Sequence, residues 1–211
     1  MTEPGTGSDL QGIKTRAVKQ DDGSWRDIDT ALSDVGDDLA PEAAAADITV
    51  SDGGDKQLAS VTKGKTSFGM DWSSKLPDPS VKGNTASYDL GDGQTLKVAA
   101  LAQGFSEDLV LAQQPTDTTP TYRIPLDLHG LTLSQADSGH LLLKDSNGKL
   151  VVEAPAPTMW DASKDPASGE SAHTEQVATK VETADDGSQT LILTPDPEFL
   201  ATATYPITVD P

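Results

Sequence analysis

Three histidines, 34 acidic residues and no cysteine make up the chemically useful inventory of this 211-residue chain. His129 precedes Gly130 at a strand break, His140 opens a strand, and His173 sits in a polar stretch. No His-x-x-x-His pair occurs, so a zinc site would need ligands assembled from distant parts of the chain. The absence of cysteine excludes disulfides, thiolate metal sites and cysteine nucleophiles. Neither a Gly-x-Ser-x-Gly elbow nor a phosphate-binding Gly-x-x-x-x-Gly-Lys loop is present. Acid pairs of the kind glycosidases use are plentiful, but abundance follows from the composition alone. Asp145-x-Asn147-Gly148, Asp52-x-x-Asp55, Asp34-x-x-Asp37-Asp38 and Asp185-Asp186 offer hard oxygen ligands on turns, and one of them could hold a structural Ca²⁺. None has EF-hand spacing, and Asp and Asn belong in turns for their own backbone hydrogen bonding. Trp25, Trp72 and Trp160 could form a carbohydrate platform, although packing in a core or over a sheet edge is the plainer role for them. On this inventory no residue is assigned a catalytic, cofactor-binding or metal-binding role, the expected cofactor list is empty, and ligand-binding residues stay unassigned.

The elements around these groups read as strands. Residues 122–160 hold three apolar runs, 122–133, 141–143 and 150–152, cut by turn residues. The last two flank Asp145-Ser146-Asn147-Gly148, a hairpin signal with two registers. A two-residue Asn-Gly turn would pair Ser146 with Lys149. A type I turn with Gly148 left-handed in a bulge would pair Asp145 with Lys149, and it is preferred for the opposite charges it sets together. Leu143 would then face Val151, and Leu142 would face Val152. Both faces would be apolar, as in inner strands of a sandwich.

Further strand candidates recur from Asp47 onward, at 48–50, 58–62, 66–72, 85–90, 95–102, 105–112, 176–182, 191–194 and 207–209. Turn clusters such as Ser51-Asp52-Gly53-Gly54 and Asp185-Asp186-Gly187-Ser188 separate them. Short strands at this spacing predict an all-β fold, an antiparallel β-sandwich with little helix. Only 197–201 reads as helical, with Pro197 at its start. The expected organisation is a disordered tail at 1–12, a hairpin arm with an acidic and Ala-rich linker at 13–46, and the sandwich at 47–211. The arm's hairpin is centred on Asp21-Asp22-Gly23-Ser24.

Charge narrows the partners. Fifteen basic residues against 34 acidic give a formal net charge of −19. Nucleic-acid affinity rests on neutralising phosphates, so nucleic acid and anionic membranes are disfavoured. Hydrophobic residues make up 35%, so part of the chain must be solvated. No apolar run approaches a membrane span, and insertion into a membrane is not expected. The opening MTEPGTGSDLQG has no basic region followed by an apolar core, so no signal peptide lies in this chain. The close on Tyr205-Pro206-Ile207-Thr208-Val209-Asp210-Pro211 reads as a cut from a longer polypeptide.

Several short motifs occur in an order that resembles a known family. Asp22-Gly23-Ser24-Trp25-Arg26-Asp27-Ile28-Asp29-Thr30 is similar to a "DGSW-x-x-IDT" element, and Leu76-Pro77-Asp78-Pro79 to an "LP-x-P" turn. Gly104-Phe105-Ser106-Glu107-Asp108-Leu109-Val110-Leu111 is similar to "GFSE-x-LVL". Ala154-Pro155-Ala156-Pro157-Thr158-Met159-Trp160-Asp161 resembles "APAP-x-MWD", and the last seven residues resemble "YPV-x-x-DP". The set resembles the N-terminal β region of large secreted actinobacterial proteins carrying DNRLRE, laminin-G-like jellyroll or RHS/YD-repeat modules. It covers about residues 21–211 and departs at Tyr88-Asp89-Leu90-Gly91-Asp92-Gly93, where a "PGVDL" element is replaced. The resemblance implies a non-enzymatic, extracellular or cell-surface structural or adhesion module within a larger protein. Its partners would be downstream domains of the same polypeptide and a cell-surface glycan or protein. Alternatives are a carbohydrate-binding module and the leading shell segment of an RHS-type toxin-delivery protein.

Overall fold

The computed structural model describes residues 17–19, 24–117 and 119–211. In chain order its strands are β1 (Ala17–Lys19), β2 (Trp25–Asp27), β3 (Asp29–Asp34), β4 (Asp38–Ala43), β5 (Asp47–Ser51), β6 (Gln57–Lys63), β7 (Thr66–Asp71), β8 (Ser80–Lys82), β9 (Thr85–Gly91) and β10 (Gln94–Ala100). There follow β11 (Phe105–Leu111), β12 (Tyr122–His129), β13 (Leu131–Gln135), β14 (Leu141–Asp145), β15 (Leu150–Ala154), β16 (Thr158–Trp160), β17 (Thr174–Gln176), β18 (Ala178–Thr183) and β19 (Gln189–Thr194). Helix α1 (Pro197–Thr202) precedes the last strand, β20 (Ile207–Asp210).

Two large antiparallel sheets carry the fold, an all-β sandwich as the sequence predicts. One runs β17-β16-β20-β11-β10-β9-β8, the other β18-β19-β12-β7-β6-β5-β4-β3. The period of two decides which side chains meet between them. Leu96 and Val98 of β10, Leu109 and Leu111 of β11, and Ile207 and Val209 of β20 are buried from one sheet. Ile48, Val50, Leu58, Ile124 and Leu191 are buried from the other, and all belong to one continuous apolar cluster. Tyr88 crosses the core and donates its hydroxyl to the Ser51 carbonyl at 2.7 Å.

A smaller sheet, β13-β14-β15, packs against this body. Gln189 fastens it. Its side-chain oxygen accepts from the Leu133 amide at 2.8 Å and its amide donates to the Leu133 carbonyl at 2.9 Å, as a neighbouring strand would. The β14–β15 turn has the predicted form. The Asp145 amide donates to the Lys149 carbonyl, Gly148 donates to the Asp145 carbonyl, and Gly148 has φ 78°. Beyond the turn the expected register is corrected. Lys144 faces Leu150 but Leu143 faces Val152, because a shift leaves Val151 without an opposite residue. The hairpin is also not an inner pair: β15 is an edge strand, and Val151 and Val152 are each 50% exposed.

Residues 33–46, expected as an acidic and Ala-rich linker, instead contain β4 and the end of β3. Both belong to the eight-stranded sheet, with Leu39 and Ala43 buried. A single helical turn there would have no stability of its own, whereas pairing beside β5 satisfies the same backbone groups. The single strand expected at 176–182 is divided at Val177, which is buried and donates to the Pro157 carbonyl at 2.9 Å. β17 therefore joins one large sheet and β18 the other. Helix α1 is one residue longer than predicted and is capped by Asp196, which accepts from the Glu198 and Phe199 amides. β1 and β2 pair as the expected arm hairpin would. The tail at 1–12 and the turn residues Asp21, Asp22 and Gly23 lie outside the described residues.

Candidate functional site

The groups singled out for chemistry are dispersed, and most are explained by local backbone needs. In the β14–β15 turn, Asp145 accepts from the Asn147 and Lys149 amides at 2.8 and 3.0 Å. These bonds hold its carboxyl below the usual range. Asp34 accepts from the Gly36 amide, and Asp186 from the Ser188 amide and hydroxyl. Asp52 and Asp55 lie near Asp38, whose carboxyl is raised by burial and by repulsion from Asp55, Asp52 and Asp37. Among the described residues no three acidic or histidine side chains are grouped to hold a metal ion. The tryptophans do not meet. Trp25 is exposed on β2, Trp72 is buried against Tyr122 with ring centroids 6.4 Å apart, and Trp160 is on β16 of the other large sheet.

Two histidines reach carboxylates. On the small sheet His140 Nδ1 lies 2.8 Å from Glu153 Oε1, an exposed pair. His173 Nδ1 lies 3.3 Å from Asp161 Oδ2, and this second pair is built differently. Asp161 follows β16, and its side chain is fully buried. Burial opposes its charge, but donors outweigh that effect. The Ser163 amide and hydroxyl, the Thr204 amide at 2.9 Å and His173 together lower the carboxyl to about 2. Asp161 thereby ties three separate segments together. It also orients the His173 ring at the rim of a cleft of about 470 Å³ beside α1.

An imidazole oriented by a buried carboxylate is a unit that can move a proton. Its surroundings limit what it could act on. Glu175, Asp196 and Glu198 share the cleft lining, and no Lys or Arg does. The Ser171 hydroxyl bonds to the Asp161 and His173 carbonyls at 2.9 Å each and is engaged there rather than with the ring. His129, the last residue of β12, is exposed and has no part in this corner.

Two carboxylates of consequence, Asp161 and Glu107, escape the sequence inventory. Nothing local marks Asp161. Glu107 was legible, since the alternation Phe105, Glu107, Leu109, Leu111 puts it on the apolar face of its strand. No helix among the described residues is long and apolar enough to cross a membrane.

No protein-family model matches the chain, and no solved structure matches it. Curated proteins do. The chain is 31% identical over 118 residues to the tRNA3(Ser)-specific nuclease WapA of Bacillus spizizenii. The same identity and length are found with the tRNA(Glu)-specific nuclease WapA of Bacillus subtilis subsp. natto and the tRNA nuclease WapA of Bacillus subtilis. The matched stretch is 55% of this chain but only 5% of each relative. These relatives overturn two expectations. The non-enzymatic structural or adhesion module is corrected, because the similar proteins are named as nucleases. The exclusion of nucleic acid is corrected with it, because their named substrates are tRNAs. The net charge of −19 describes these 211 residues, whereas the matched stretch is 5% of each relative, whose phosphate contacts can lie elsewhere along its length.

Proposed function

We propose that this chain is a β-sandwich segment of a nuclease that cleaves tRNA. The observation that carries this reading is the 31% identity over 118 residues to proteins named as tRNA nucleases. Because that stretch is a small part of each relative, the activity is proposed for the longer polypeptide that contains the chain. An extracellular setting is likewise our proposal. It rests on the motif order, which resembles that of the N-terminal β regions of large secreted actinobacterial proteins.

The test is tRNA cleavage by the longer polypeptide, read on a denaturing gel. Discrete cleavage of tRNA is expected, and a folded polypeptide that leaves tRNA intact overturns the reading. His173→Ala in the same polypeptide locates the chemistry. The carboxylates around His173 repel phosphate, so cleavage should stay within about twofold of the parent. A loss of about a hundredfold would instead put proton transfer at the Asp161–His173 pair.

A further inference from the structure

At one end of the sandwich, beneath the small sheet, lies a cavity of about 340 Å³ that no part of the nuclease reading uses. Its walls are apolar: Phe68 of β7, Phe105 of β11, and Leu141 and Leu143 of β14 are among them. Phe68 and Phe105 stack on one another in its wall with centroids 6.0 Å apart. Into this lining β11 places Glu107, which is 5% exposed. Its Oε2 is buried and has no hydrogen-bond partner among the described residues. A buried polar oxygen is almost always partnered, so one that faces an apolar cavity without a protein partner is suited to a donor from a ligand.

The neighbouring charges say what kind of donor. Asp210 also lines the cavity, and Asp108 lies close enough to raise both Glu107 and Asp210. No Lys or Arg is among the residues that line the cavity. The polar corner of an otherwise hydrocarbon-lined cavity is thus acidic and lacks a counter-charge.

We propose that this cavity binds a compact organic cation with an apolar body, its ammonium group paired with Glu107 and its hydrocarbon part held against Phe68, Phe105, Leu141 and Leu143. The pairing supplies a donor and offsets repulsion from Asp210. The apolar body fills space that water occupies poorly. The cavity's chemistry stands whether or not the longer polypeptide cleaves tRNA.

Benzylammonium and its neutral counterpart benzyl alcohol separate the contributions. Each is titrated into the 211-residue chain at about pH 8, with the methyl resonances of Leu141 and Leu143 followed by NMR. Benzylammonium should shift these methyls and bind about tenfold or more tighter than benzyl alcohol. Glu107→Gln should remove that preference while the amide spectrum stays native. Equal affinity for the two probes overturns the proposal using the parent chain alone. So does a benzylammonium preference that survives in E107Q, or the absence of any shift up to about 10 mM of either probe.

Discussion

Glu107 shows how much a single side chain's surroundings decide. Burial, with repulsion from Asp210 and Asp108, pushes its carboxyl up to about 8 from the usual 4.5. The sign of its effect on stability follows. Below about pH 4.5 the group is protonated both folded and unfolded. Between there and about pH 8 the unfolded chain loses the proton while the folded chain keeps it, so stability falls as pH rises. Asp210 and Asp108 are raised too, and they shift in the same sense. Glu107→Gln removes the largest contributor. Urea unfolding of the parent at a series of pH values should show stability falling between about pH 4.5 and 8, by a few kcal/mol relative to E107Q. Parallel curves for the two proteins would refute the buried-carboxyl assignment. Asp161 has the opposite sense. Its donors hold it ionised, so its contribution is present above the usual carboxylate range and is lost as pH falls toward about 2.

Among the elements, the turn between β14 and β15 needs a left-handed residue at Gly148 beside the bonds Asp145 makes to its amides. Gly148 has φ 78°, and a side chain added there would meet nothing within 4 Å. Any penalty for a larger residue is therefore conformational. Gly148→Val should destabilise the chain by about 1–2 kcal/mol in urea unfolding, and Gly148→Asn by much less, because Asn tolerates the left-handed region. Equal behaviour of the two would show that crowding rather than φ sets the cost. Gly53 is a contrast: a Cβ there would lie 2.8 Å from Asp78 Cα and from the Pro77 carbonyl oxygen, so close approach as well as φ 99° requires glycine. The turn residues announce the first requirement in the sequence. The second arises from the 77–78 loop folding back, and no local signal carries it.

For the whole molecule, 34 acidic residues against 15 basic ones leave the folded surface repelling itself. Added NaCl should raise the melting temperature by screening. CaCl₂ at matched ionic strength should raise it equally, since the aspartates of the turns already spend oxygens on their own backbone amides. A calcium-specific rise of several degrees, reversed by chelator, would mean that one of these turns binds the ion in place of its amides.

Local residue patterns specify the all-β class, most of the strands from β5 onward, the turn chemistry at Asp145–Lys149 and the short helix after Pro195. Each is written in local alternation and in Gly, Pro and Asp spacing, which act over a few residues. Long-range packing makes β3 and β4 extend a sheet, since their weakly apolar residues become strands by pairing. It alone divided 176–182 between two sheets, shifted the β15 register past Val151, and joined Asp161 to Thr204 and His173. The orphan carboxyl of Glu107 follows the same logic: alternation turned it inward, but only the packing of the small sheet over the sandwich end enclosed it without a partner. Long-range pairing is selected by summed burial and backbone satisfaction, which no short window of residues contains.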